Sequence, residues 1–119
     1  MQKSLLLIYN QTNMVIDKSI ILNVVIRIAT NVNPDKIFLF GSYATGQANE
    51  DSDIDLLIVK ETSEPKYKRS IEIQRLLKGL KLPVDIIVYT NEEFEKGKSK
   101  VNSFINSAIQ GAQLMYERK

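Results

Sequence analysis

An α/β domain with a small mixed β-sheet of about three core strands flanked by helices is predicted for this chain, and two observations carry that prediction. Short runs rich in Ile, Val, Leu and Phe occur at Lys36–Phe40, Asp53–Lys60 and Val84–Tyr89, each bounded by Gly, Asp or Pro. Around them lie segments whose apolar residues recur at helical rather than alternating spacing. Strands interleaved with amphipathic helices place a chain in the layered α/β classes.

Each element follows from its local pattern. Ile20, Ile21, Val24, Val25 and Ile28 predict an amphipathic helix over 18–31, broken by Asn33-Pro34-Asp35. Lys36–Phe40 is the first strand, and Ser42 is expected to cap a short helix after a turn at Gly41. Asp53–Lys60 is apolar on both faces and therefore central. After the charged loop Glu61–Lys66 comes a helix with Ile73, Leu76, Leu77 and Leu80 as its buried stripe. Pro83 precedes the third strand, and Thr90-Asn91-Glu92-Glu93 has the form of a capping box before another short helix. A last helix near 101–117 is expected to bury Val101, Phe104, Ile105, Ala108, Ile109, Ala112 and Met115. The residues before Lys18 suit a strand or a helix equally well.

The 119 residues are expected to form one domain, 1–119, with no repeat or linker dividing them. With 44% hydrophobic and 25% charged residues the composition is that of a globular protein. A net charge of +2 gives no electrostatic case for a nucleic-acid or anionic-membrane partner. Absence of cysteine excludes disulfides, zinc–thiolate sites and thiol nucleophiles, and absence of histidine excludes imidazole acid–base chemistry. Catalysis would rest on carboxylates, hydroxyls, Lys or Arg, and a hard metal. The apolar stretch Leu5–Tyr9 is too short for a signal-peptide core or a membrane span, so a cytoplasmic location is expected.

The chemistry concentrates between Gly41 and Asp55. A Gly41-Ser42 turn follows the first strand, and Asp53 and Asp55 open the second. Alternate strand residues share a face, which puts these two carboxylates about 7 Å apart along the backbone. Such a pair repels unless a cation lies between them, and magnesium, which prefers oxygen ligands and bridges carboxylates to phosphates, is the natural candidate. Asp85 opens the third strand in the same way. Should that strand lie beside the second, three carboxylates would converge, enough for two magnesium ions in an in-line displacement at phosphorus. Asp85 would then sit next to the attacking hydroxyl and accept its proton. Gly41 allows close backbone approach, and Ser42 with the N–H groups after it would receive the β- and γ-phosphates of a nucleotide. Competing phosphate motifs fail: Gly41 and Gly46 have P-loop spacing, but Gln47-Ala48 stand where Lys-Ser/Thr is required.

The stretch Lys36–Ala44 followed by Ser52–Val59 resembles the signature of the DNA polymerase β-type nucleotidyltransferase superfamily, and size and layout resemble its minimal prokaryotic members, the MNT proteins. The resemblance runs from about Lys18 to Tyr89 and extends to the closing segment Ser103–Glu117. It implies the polymerase β-type fold and transfer of a nucleoside monophosphate, AMP from magnesium-bound ATP, to an acceptor hydroxyl. By position Asp53, Asp55 and Asp85 match the metal carboxylates, and Gly41 and Ser42 the phosphate turn. Many MNT proteins pair with HEPN-type toxin proteins, so a HEPN ribonuclease toxin AMPylated on tyrosine is the partner implied, with this chain as antitoxin. Thr45 departs from the pattern, since many relatives carry Arg there. Lys60 or another base would have to supply that cation.

Other residues read more plainly. Lys66, Lys68, Arg69, Lys96, Lys98 and Lys100 suit solvated faces more than a surface steering RNA or an acidic partner, Ser52 is a turn serine or a residue orienting the aspartates, and Tyr43 suits a half-buried position more than stacking on a base. Leu5–Tyr9, Ile105, Ile109 and Met115 are candidates for a partner surface, because so small a catalytic domain leaves little room for an acceptor pocket of its own. A small-molecule or RNA acceptor is the rival reading, as is a binding module without catalysis.

Overall fold

A fifteen-residue helix opens the part of the chain that the computed structural model describes, residues 15–119; the apolar run Leu5–Tyr9 lies outside it. This helix, α1 (Lys18–Val32), begins at Asp17, whose carboxylate accepts from the Ser19 N–H. It ends where Asn33 adopts a left-handed conformation and returns its N–H to the Ala29 carbonyl. Ile21, Val24, Val25 and Ile28 are buried, as helical spacing requires, but Ile20 is exposed because it falls beside that stripe. β1 (Lys36–Phe40) and the four-residue α2 (Ser42–Thr45) follow, then β2 (Ile54–Val59). A 3₁₀ turn at Lys66–Lys68, α3 (Ile71–Leu77) and another 3₁₀ turn at Lys78–Leu80 lead to β3 (Val84–Tyr89). α4 (Asn91–Lys98), α5 (Phe104–Ile109) and β4 (Gln113–Glu117) complete the chain.

The sheet has four strands in the order β3-β2-β1-β4, one more than the sequence predicts. β1 runs antiparallel to β2 and to β4, whereas β2 and β3 are parallel, joined through α3, so the sheet is mixed. β2 is central and buried along its length except at Asp55. Ile54, Leu56 and Ile58 point to one face, where they pack with Val24, Val25 and Ile28 of α1 and Ile73 and Leu77 of α3. Leu57 and Val59 point to the other, against Tyr89, Phe94 of α4 and Ile105 of α5. Among the described residues no helix is long and apolar enough to cross a membrane.

The C-terminal segment corrects the sequence reading. Residues 101–117 do not form one helix: α5 covers two turns, Gly111 takes a positive φ of 80°, and β4 pairs with the outer edge of β1. That pairing satisfies the backbone groups of an otherwise open strand, a tertiary gain that overrides local helical spacing. Val101 and Phe104, expected inside, are 77% and 51% exposed. Ser42 does not cap α2 either; Gly41 holds that position and Ser42 is the first helical residue, with no side-chain cap. The capping box at α4 forms as the sequence indicates, with Thr90 and Glu93 exchanging side-chain and backbone hydrogen bonds. Arg69 is not on a solvated face: its side chain is 9% exposed, paired with Glu93 at 2.7 Å and donating to the carbonyls of Glu64 and Val88.

The α4–α5 contact depends on Gly97. A Cβ there would lie 2.7 Å from the Cβ of Ile105, which cannot move without the α5 backbone. Helix propensity favours Gly97→Ala by about 0.5–1 kcal/mol, whereas overpacking costs about 1–3 kcal/mol. We expect the variant to be destabilised, with a lower urea midpoint at unchanged m-value; a raised midpoint would show that α5 yields freely.

Candidate functional site

Strand directions bring the sequence-predicted residues to one end of the sheet. β1 is antiparallel to β2, so its C-terminal end, Phe40-Gly41, lies beside the start of β2, with Phe40 opposite Asp55. β3 is parallel to β2, so its start lies there as well, with Asp85 directly opposite Asp55. Neighbouring strands are about 4.8 Å apart and register partners share a face, so these two carboxylates project side by side. Asp53, two residues before Asp55 and just ahead of β2, alternates onto the same side. This is the face that α4 and α5 cover further along the sheet.

Asp55 is half-buried while Asp53 and Asp85 are exposed. Burial, and then repulsion from Asp85 and Asp53, raises the Asp55 carboxyl above the ordinary aspartate range. The crowding is tightened by Gly41, which has φ 73° and ψ −156°. A Cβ on Gly41 would fall on the Asp55 carboxylate. Gly41 is thus required twice, for its backbone conformation and for the space that carboxylate fills. Gln113 of β4 fastens the short helix to the sheet, donating to the Ala44 carbonyl at 2.8 Å.

The donor set suits a hard divalent cation: three carboxylates on one face, one carrying a proton affinity raised by burial and by its neighbours, in a chain without His or Cys. Among the described residues no three acidic side chains already meet as a closed cage. Asp53 and Asp85, being exposed, have the freedom to turn toward Asp55.

Other sequence candidates resolve differently. The Ser52 hydroxyl accepts from the Asn49 N–H at 2.9 Å and is a turn serine. The Tyr43 hydroxyl accepts from the Ile16 N–H at 3.0 Å, in a half-buried position. Lys60 follows the far end of β2, about 17 Å of strand from Asp55, so it cannot stand in for a cation at the turn. Beside the carboxylates lies a feature the sequence did not disclose, a cleft of about 350 Å³ lined by Phe40, Asp55, Gln74, Asp85, Ile87 and Phe104 among others. Its one sequence signal is an aromatic immediately before Gly41, since helical spacing predicts Phe104 for a helix core.

Two measurements check this geometry. Gly41→Ala is expected to destabilise the fold by about 1–3 kcal/mol, and part of that loss is expected to vanish in an Asp55→Gly background. A coupling below about 0.5 kcal/mol in that double-mutant cycle would show the two residues to be independent. A carboxyl whose folded-state pKa is raised holds its proton more tightly when folded, so stability falls as pH rises through the window above the unfolded value and stays reduced at neutral pH. Asp55→Asn should therefore melt higher than wild type at pH 7. The advantage should vanish below the aspartate range, and an equal advantage there would refute the electrostatic cause.

Comparison with known proteins identifies the family. Residues 21–110 match the family model described as nucleotidyltransferase domain. The curated relative "Putative protein adenylyltransferase MJ0604" of Methanocaldococcus jannaschii is 36% identical over 68% of this chain and 77% of its own length. "Putative protein adenylyltransferase MJ0141" of the same organism is 42% identical over 45% of this chain and 54% of its own length. A "putative nucleotidyltransferase" from Sulfolobus solfataricus superposes with a TM-score of 0.60 at 21% identity, covering 84% of this chain and 79% of that one. A mutant MntA–HpeT toxin–antitoxin structure gives 0.57 at 20% identity, covering 82% and 74% respectively. At such identities the structures speak for the fold, while the family match spans most of the chain: this protein belongs to the nucleotidyltransferase domain family.

Proposed function

We propose that this chain, acting as a single minimal domain, transfers AMP from magnesium-bound ATP to a hydroxyl on a partner protein, a HEPN-type toxin that it silences as an antitoxin. The observation that carries the reading is the register pairing of Asp55 with Asp85 beside Gly41, with Asp53 on the same face. Two curated relatives named as protein adenylyltransferases support the choice of a protein acceptor, and a toxin–antitoxin structure among the neighbours supports the choice of partner.

The residues divide the work by position. Ser42 and the backbone N–H groups of the turn receive the β- and γ-phosphates, with Gly41 leaving room for close approach. Asp53, Asp55 and Asp85 would hold the metal, Asp53 and Asp55 on the nucleotide's side and Asp85 beside the acceptor hydroxyl. Magnesium, when bound, neutralises the phosphate oxygens and lowers the pKa of the acceptor hydroxyl. The acceptor oxygen forms a bond to the α-phosphorus, its proton passes to the Asp85 carboxylate, and the bond from that phosphorus to the bridging oxygen breaks. Pyrophosphate leaves from the side of Gly41 and Ser42.

Label transfer tests the reading. Each of the four α-³²P-labelled NTPs, with magnesium, is incubated with a lysate of the source cell and the full chain, with a folded Asp53→Asn/Asp55→Asn double variant as control. We expect a labelled protein band with ATP and wild type alone, and loss of at least 100-fold in the variant, about 2.7 kcal/mol in transition-state stabilisation. Label in RNA or a small molecule would replace the acceptor, and no label from any NTP would replace the chemistry.

A further inference from the structure

The basic residues of this chain sort into two groups. On α4, Lys96 pairs with Glu92 at 3.3 Å and Lys98 with Glu95 at 3.1 Å, so those lysines are neutralised by their own helix. Between Lys66 and Lys81 the chain carries Lys66, Lys68, Arg69, Arg75, Lys78 and Lys81 against a single acid, Glu72. Of these cations only Arg69 enters an ion pair among the described residues. Lys66 and Lys68 lie over the rings of Tyr89 and Tyr67, contacts that leave their charge uncancelled. The result is a patch of one sign on a chain whose net charge is only +2.

That patch has a shape. Ile71, Gln74, Arg75 and Lys78 recur at the spacing of one helix face, and with Ser70 they line an open groove of about 400 Å³ along α3. Glu72 is not among them. Ile71 is 43% exposed there, an apolar side chain one turn from Arg75. Gln74 also lines the cleft that holds Asp55 and Asp85, so groove and cleft are continuous at that residue. The helix dipole favours cations in a last turn, but it calls for neither Lys68 ahead of the helix nor an exposed isoleucine beside them.

We propose that this face of α3 is a docking surface for the acceptor protein, which presents an acidic segment, its carboxylates on Arg75 and Lys78 and an apolar side chain on Ile71. The inference rests on the nucleotidyltransferase reading above and names the chemistry by which its partner is held. Charge distribution selects a protein over a nucleic acid. RNA carries a phosphate at every step, so a strand continuing past Gln74 would bring phosphates against Asp55 and Asp85. None of the described residues lining the groove is aromatic, so single-stranded bases find no stacking platform there. A protein can set carboxylates over Arg75 and Lys78 and an uncharged, hydroxyl-bearing stretch over the cleft. Complementarity of this kind acts chiefly on the rate of encounter and the choice of partner.

The probe is the acetylated, amidated peptide Glu-Glu-Leu-Glu-Glu, titrated by NMR into the full chain, with Gln-Gln-Leu-Gln-Gln and an oligouridylate as comparators. We expect resonance shifts centred on Ile71, Gln74, Arg75 and Lys78 with the acidic peptide alone, weakening about tenfold from low to high salt. Arg75→Glu/Lys78→Glu, both exposed, should lose that binding about tenfold and gain binding of Lys-Lys-Leu-Lys-Lys. Ile71→Ser should weaken it severalfold. No shift, shifts centred elsewhere, or equal binding of the neutral peptide overturns the docking surface. Tighter binding of the oligouridylate at these residues would assign the face to nucleic acid, and shifts there on concentrating the free protein would assign it to a second copy; either overturns the proposal. In the lysate experiment the double variant should label its protein at least tenfold more slowly, and unchanged labelling would show that the acceptor docks elsewhere. Calorimetry with magnesium and a non-hydrolysable ATP analogue separates the two readings. Equal affinity in wild type and double variant is expected; no binding by wild type would overturn the nucleotidyltransferase reading itself, and loss in the variant alone would place Arg75 and Lys78 at the nucleotide and overturn the docking surface.

Discussion

The parallel register of β2 with β3 is the constraint on which the rest of the site depends. It sets Asp55 opposite Asp85, and a slip of one residue would send Asp85 to the α1–α3 face, because strand side chains alternate. Parallel neighbours require a crossover, which here is α3, held by Ile73 and Leu77 against the core. The free side of β3 is also managed. Carbonyls of Pro83 and Tyr89 bond toward β2, so those of Val84 and Val88 point outward, where Gln74 and Arg69 donate to them. Arg69 closes a second contact with Glu93, whose carboxyl is held below its ordinary range chiefly by that bond. An edge strand carrying a site residue is thereby kept in register and shielded from foreign strands.

The two faces of the sheet are covered unequally, and this is what leaves the carboxylates accessible. α1 and α3 pack along one face. On the other, α5 has six residues, about 9 Å of helix, because the chain must turn at Gly111 and return along β1 as β4. Its contacts reach Phe38 and Phe40, and only its first residue, Phe104, borders the cleft where Asp55 and Asp85 lie. At the opposite end of the sheet, Asn91 bridges Asp35 and Glu61 at 2.8 and 2.6 Å, and Arg118 pairs with Asp35. One end is thus tied by polar contacts, and the other presents carboxylates that no ion pair among the described residues neutralises.

What could be read from the residues was whatever repeats with a clean period or needs one residue type. α1, the three core strands and the α4 capping box each have such a signal, and so does the Asp cluster, since carboxylates at alternate positions opening an apolar strand have few structural uses. β4 had none. The bulge between Ile37 and Phe38 leaves Met115 and Tyr116 both packed on the same core, which destroys the alternation by which a strand announces itself. Arg69 looked like one cation among several, because its burial depends on Glu93, 24 residues away. The cleft beside Asp85 was equally hidden: Phe40 and Phe104 meet only through tertiary packing.

Thr45 raises a question of charge that the structure narrows. Its hydroxyl turns back on α2, 3.4 Å from the Ser42 carbonyl and 3.5 Å from that of Gly41, and its methyl would touch a Cβ placed on Gly111. It offers no positive charge to a triphosphate at the turn. Lys60 is at the wrong end of β2. Lys18 shares a cavity with Tyr43 and Gly46, which places it at the C-terminal end of α2 rather than at the Gly41 start. A helix of four residues contributes little dipole of its own. On the proposed reading, none of these residues neutralises a triphosphate at the turn, and that work would fall to the cation that the three aspartates hold. On the proposed reading, the burial and crowding that raise the proton affinity of Asp55 would also be what draws a cation to the site, since a cation among the carboxylates relieves their repulsion.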